Sequence, residues 1–232
     1  NVFIGKAAGQ GNQAVPPYTS GENNVAIGYE ALKNFTTADK CVAIGSGAGK
    51  AHQTAAWAVY IGYEAGNDVT SGAQNVLIGG DAGAKLTTAD RNIAIGGAAL
   101  QTATTGDSNT VIGDNAGWSA TTASGSVFIG RLAAGSLTTG NDNIAIGRDA
   151  LNGNTVTGHS NIAIGVSALD YQSSGNNCIA IGLNAAGSSY GVDNVIGIGA
   201  YAAHNGTSAG TIAIGYYAGY YSQTANNTFV GY

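Results

Sequence analysis

NIAIGRDAL, residues 143–151, is followed eighteen positions on by NIAIGVSAL, residues 161–169; only the two residues after the glycine differ. Reading outward from this pair, the glycine of the phrase recurs at 5, 28, 45, 62, 79, 96, 113, 130, 147, 165, 182, 199, 215 and 231. After a first gap of 23, the spacing is 17 seven times, then 18, 17, 17, 16 and 16. A fixed period of this size is the mark of a solenoid, in which each repeat stacks on the next.

Aligned on that glycine, the repeat shows its slots. The preceding residue is Ile in every copy except Val230, and the residue three before it is Val or Ile except at Thr110 and Thr228. The residue between them is most often Ala, and Ala stands three after the glycine in all copies that extend so far. Ile27-Gly28-Ala31, Ile95-Gly96-Ala99 and Ile146-Gly147-Ala150 represent this structural repeat. Val/Ile–Ala–Ile alternates with period two, so the β-branched pair shares one side of a short strand and Ala takes the other. Thr pairs eight and nine after the glycine, such as Thr87-Thr88 and Thr104-Thr105, suit a second short strand. The glycine permits one corner and the Asn-rich stretch before the phrase marks the other. Gly and Thr in every window argue against helix. The expected fold is all-β: one repeat domain over 1–232, a β-solenoid or β-roll of about fourteen 17-residue coils with an insertion loop near 10–22. At ~4.8 Å per coil it makes a rod of roughly 65 Å, with Ile stacked on Ile along its length.

Composition excludes several classes. The 232 residues include 38 Gly but only 9% charged residues, with a net charge of −5. The eight Lys and Arg are scattered, which argues against nucleic acid as a partner, since such binding needs clustered cations. The apolar runs are far shorter than the ~20 residues of a membrane-spanning helix. The chain opens and closes inside the phrase (NVFIG and NTFVGY), which suggests a segment of a longer protein.

NVAIGYEAL, CVAIGSGAG, NIAIGGAAL, NIAIGRDAL, NIAIGVSAL, CIAIGLNAA and TIAIGYYAG resemble the head repeats of trimeric autotransporter adhesins, the YadA-like left-handed β-roll. They are equally similar to repeats of bacteriophage tail fibres. The resemblance spans the whole chain and implies a homotrimer whose Ile residues face a shared interior. The 17-residue period is longer than that of the adhesin heads, which implies a larger outer loop.

No catalytic constellation interrupts the repeat. His52, His159 and His204 fall in distant coils, where solvent-facing loops are expected, and none has zinc-ligand spacing. Cys41 and Cys178 share one slot eight coils apart, nearly 40 Å at ~4.8 Å per coil, so an intrachain disulfide is excluded while an interchain one stays open. Asp39, Asp90, Asp107 and Asp193 share a slot with Asn141 and Asn176; turn formation explains them better than calcium does. No cofactor motif appears, and the glutamates offer no acid–base pair for a polysaccharide-degrading enzyme. Trp57 and Trp118 fall in separate loops as local lids over the coil. The candidate partner surface is aromatic: Tyr201, Tyr216, Tyr217, Tyr220 and Tyr221 gather near the C-terminal end, with Tyr190 just upstream and Tyr18 in the insertion. The expected role is a structural or adhesive fibre segment, extracellular on a virion tail or bacterial surface, binding its own copies and a cell-surface glycan or protein. A monomeric solenoid of an extracellular filament and an ice-binding solenoid, suggested by the Thr rows, are the alternatives.

Overall fold

The computed structural model describes residues 1–11, 20–153, 156–171, 173–188, 191–206 and 208–232. Each copy of the phrase forms one three-residue strand, from β1 (Val2–Ile4) to β14 (Thr228–Val230). The fourteen strands pair in chain order in a single parallel sheet. Register is strict: Val25, Ala26 and Ile27 lie beside Val42, Ala43 and Ile44, and each later strand repeats the alignment. The chain is a β-solenoid of about fourteen coils.

The alternation within each strand tells which residues share a side, but not which side is the interior. In the structure the interior belongs to the middle residue. Ala26, Ala94, Ala145 and Ala163 are fully buried, and so are Tyr60, Leu77, Val111 and Phe128 in the same slot. The Val and Ile rows face outward, partly exposed along the whole sheet. Ile does stack on Ile, but on the outer surface of its own coil.

The expected second strand at the Thr pairs does not form. The one β-bridge outside the sheet among the described residues joins Leu137 and Val156. The reason lies in the spacing of the inward residues. Leu86 and Ala89 are both buried, three positions apart, whereas an extended strand returns to one face every second residue. The backbone therefore bends between them. Thr87 is half-buried and Thr88 exposed. Coil-to-coil bonding persists here: Thr70, Thr87, Thr104 and Thr121 each donate Oγ1–H to the carbonyl of the next coil's residue at 3.1 Å.

The phrase glycine makes the corner that ends each strand. Gly96 has φ +139°, and a Cβ there would stand 2.5 Å from the Gly113 carbonyl oxygen of the next coil. That is a conformation and an approach open only to glycine. The corner before the strand carries a left-handed residue of another type, such as Trp57, Arg91 or Asp142, each at φ 58°.

The interior conserves volume by exchange between two slots: the middle strand position and the position four after the glycine. Ala26, Ala94, Ala145 and Ala163 go with Leu32, Leu100, Leu151 and Leu169, all buried. Large strand residues go with glycine or, for Phe128, with Ala134: a Cβ on Gly66 would meet Tyr60 at 2.7 Å, and one on Gly83 would meet Leu77 at 2.9 Å. Where both slots of a coil are small, adjacent coils fill the gap, as Tyr60 and Leu32 do around Gly49. Close packing without voids follows from that exchange.

A polar spine runs beside this core. Asn75, Asn92, Asn109, Asn143 and Asn161 immediately precede their strands and are buried. The Asn75 Oδ1 accepts from the Asn92 backbone N–H (2.9 Å), the Asn92 Oδ1 from Asn109 (3.0 Å), and the Asn161 Oδ1 from Cys178 (2.9 Å). The Nδ2 groups donate across the coil, from Asn75 to Ala89 O (2.7 Å) and from Asn109 to Ala123 O (2.7 Å). Asn suits this slot because one side chain supplies both an acceptor and a donor to backbone groups that are buried from water.

Candidate functional site

Three surfaces or clusters stand apart from the repeating scaffold. The first is the outer face of the sheet. Ile44, Ile93, Ile129 and Ile181 are each 37% exposed, a large fraction for side chains in a regular sheet. The two β-branched rows run unbroken by charge from β1 to β14. Contiguous apolar surface of this length is rare on a protein that works alone. One border is the left-handed corner before the strand; the other is the residue after the phrase glycine.

The second is the aromatic cluster. Tyr201 and Tyr217, both two after a phrase glycine in adjacent coils, stack at 4.9 Å between ring centroids. Tyr217 stacks in turn on Tyr220 (5.0 Å), while Tyr216 meets Tyr217 edge-on (4.5 Å) and Tyr221 meets Tyr220 edge-on (4.6 Å). The five tyrosines noted in this region therefore form one continuous surface. His204 and Tyr232 extend it, at 5.3 Å from Tyr220 and 5.4 Å from Tyr216. The repeat itself could have found both: His204 shares the slot of Tyr220, and Tyr232 that of Tyr216. His204 is also fixed from below, its Nδ1–H donating to the Asn184 carbonyl (2.9 Å). Tyr201 and Tyr220 are half-buried, whereas Tyr217 is 40% and Tyr221 73% exposed. Tyr217, Phe229 and Tyr232 also line a depression beside β14. Tyr18 and Tyr190 lie outside the described residues.

The third is interior, and it corrects the reading of His52 as a loop residue facing solvent. His52 is fully buried. Its Nε2–H donates to the Ala55 carbonyl (3.0 Å), and its Nδ1 accepts from the Tyr60 hydroxyl (3.1 Å). Cys41 Sγ is 3.5 Å from Nε2. His52 takes the slot filled by Phe35, Val69 and Leu86 in neighbouring coils, so its repeat position marks it as an inward residue. Burial holds its pKa down to about 4. The unfolded chain takes up this proton near pH ~6.5, so between those values the unfolded state binds more protons than the folded one. Stability therefore falls as pH drops through that window and levels off below it, a loss of about 3 kcal/mol. Thermal unfolding followed from neutral pH down through the window should show this fall. The pair His52→Leu with Tyr60→Phe, which removes both polar groups, should flatten it.

Cys41 and Cys178 form no disulfide and are buried in their own coils. Cys178 Sγ contacts the Val192 carbonyl at 3.1 Å, and burial raises the Cys41 thiol pKa. Both take the inward Asn slot of the spine, so an interchain disulfide would require the coil to open.

The aspartate slot ties successive coils together rather than closing a turn within one coil, which corrects the expectation of turn formation. Asp90 Oδ1 accepts from the Ala73 N–H (2.8 Å), Asp107 Oδ1 from Asp90 N–H (2.8 Å) and Asp193 Oδ1 from Asn176 N–H (2.8 Å). Even His159, in this slot, accepts through Nδ1 from Asn141 N–H (3.0 Å). Trp57 and Trp118 do not act as lids: they are 56% and 43% exposed, and Trp118 Nε1–H donates to Gln101 Oε1 (2.6 Å). No helix among the described residues is long and apolar enough to cross a membrane. Compared with known proteins, the chain matches no family model, no curated protein and no solved structure.

Proposed function

We propose that the chain is a segment of a non-enzymatic, homotrimeric β-solenoid fibre. It works outside the cell, on a virion tail or bacterial surface, and helps attach it to a cell-surface glycan or protein. The observation that carries this reading is the outward Val/Ile face. About thirteen coil steps of ~4.8 Å, by three residues of ~3.3 Å, make a strand face of roughly 600 Å². The bordering corners bring it toward the ~800 Å² that each partner of a stable interface gives up. Identical rows on each copy are self-complementary, so other copies of the chain are the natural cover, and the repeat's resemblance to trimeric fibres favours three of them.

In such an assembly Tyr201, Tyr217, Tyr220 and Tyr221 lie on the flank of the rod, one set per copy at the same height, while Tyr216 and Tyr232 take the corner slot that borders the seam. Each offers ring surface and hydroxyls together, a chemistry suited to sugars or to polar protein surfaces. Engagement of several copies at once converts weak single contacts into firm attachment by raising the effective concentration.

Light scattering after size exclusion tests the reading: three chains per particle supports it, and one chain overturns it. The double substitution Ile112→Asp with Ile146→Asp should reduce the particle to single chains. The coil should survive, because both side chains leave its interior untouched.

A further inference from the structure

The Val/Ile face has a property that the proposed assembly must overcome. Every coil presents nearly the same pair of side chains, so sliding one copy along another by one coil returns almost the same apolar contact. An interface built from that face alone has no fixed register. Register must come from slots where coils differ, and the nearest are the two corners that border the face.

Most of those corners hold small or polar residues, but one coil stands out. Trp57 and Tyr63 occupy the two corners of the same coil, on either side of β4 (Val59–Ile61). They are 56% and 59% exposed. One ring surface of Trp57 carries the Lys40 ammonium, 5.5 Å from its centroid; no partner ring within this chain stacks on either aromatic among the described contacts. Further along, Asp142 and Arg148 hold opposite charges at the two corners of β9 (Ile144–Ile146).

A closed rotational assembly has no translation along its axis, so each residue faces its neighbours at its own height. With the sheet faces turned inward, the corner before the strand on one copy meets the corner after it on the next. Resting on the assembly proposed above, we infer that Trp57 of one copy packs on Tyr63 of its neighbour, and that this aromatic contact locks the copies parallel and in register. The partner of this pair of corners is a second copy of the chain. Asp142 and Arg148 meet at a second height under the same arrangement. A slip of one coil separates Trp57 from Tyr63 in either direction, leaving Trp57 against Ser46 or Gly80.

The test is cysteine pairing between copies. Within one chain, positions 57 and 63 stand roughly 15–20 Å apart across the strand, beyond the ~7 Å limit for a disulfide, and the native thiols are buried. The double variant Trp57→Cys with Tyr63→Cys should form covalent multimers on mild oxidation. Trp57→Cys with Gly97→Cys, two coils out of register, should not. Light scattering on both variants separates the two levels of the argument. Single chains in solution overturn the assembly and the inference with it. Assembled particles that cross-link only through the offset pair, or through neither pair, overturn the register and leave the assembly standing. As a second measurement on a less altered protein, Tyr63→Ala should shift tryptophan emission to the red in the assembled particle. An unchanged spectrum also overturns the contact.

Discussion

Gly96→Ala should destabilise the chain by about 4 kcal/mol or more, summing left-handed strain with an overpacked contact. Gly96 sits at φ +139°, and its new methyl carbon would lie 2.5 Å from one backbone carbonyl oxygen and 2.6 Å from the carbon bonded to it. Neither atom can rotate away, because both belong to the next coil's corner, which the sheet holds in place: the Gly113 N–H donates to the Ile95 carbonyl at 2.8 Å. Every interior phrase glycine faces the same obstacle, so the clash cannot be passed along the rod. Gly80→Ala is the internal control. It lies one position after a phrase glycine, and a Cβ there meets nothing within 4 Å. Loss of glycine's freedom in the unfolded chain should stabilise it by about 0.5 kcal/mol. Chemical denaturation of both variants checks the contrast, and equal effects would remove the backbone explanation of the recurring glycine.

The exchange of volume between slots leads to a second large effect, and to its rescue. Leu77→Ala should cost about 2–5 kcal/mol through lost burial and the cavity left behind. Gly83→Leu alone should also destabilise, because even its first carbon would stand 2.9 Å from both the Leu77 and the Leu86 side chains. Together the two changes rebuild the small–large arrangement of Ala26 and Leu32, whose coil carries a large inward residue, Phe35, where this one has Leu86; Leu32 sits at φ 46° and Gly83 at φ 55°. The double variant should therefore recover more than half of the summed loss, a coupling of about 2 kcal/mol or more for residues sharing one cavity. Additive losses in a double-mutant cycle would show that the two slots do not share space.

That exchange was present in the sequence as a run of Gly, Leu or Ala after the constant alanine, and it had no reason until the interior was located. His52 has the same history. Its neighbours in the repeat are Phe35, Val69 and Leu86, so its slot is apolar and inward, but reading it as an isolated histidine hid this. The Thr pairs show the opposite failure. Their β-branched character suits a strand, yet the inward residues on either side are three apart, and a backbone that must turn both inward cannot stay extended. The tyrosine surface was legible as a cluster along the chain; its extent, with His204 and Tyr232, follows only when equal slots are laid over one another.

The sequence by itself determined the repeat, its period, the strand and the corner glycine. These are local demands: a period-two β-branched pair and a backbone conformation that only glycine adopts recur at fixed intervals and admit one way of stacking. Only the tertiary structure decided which side of the strand is the interior. Alternation gives two faces without naming them, and the larger residues lost. A coil this narrow closes around Ala, with its occasional Leu, Tyr or Phe balanced by glycine or alanine, because a continuous double row of Ile and Val would overfill it. The rows are left on the outside, partly exposed along the whole sheet.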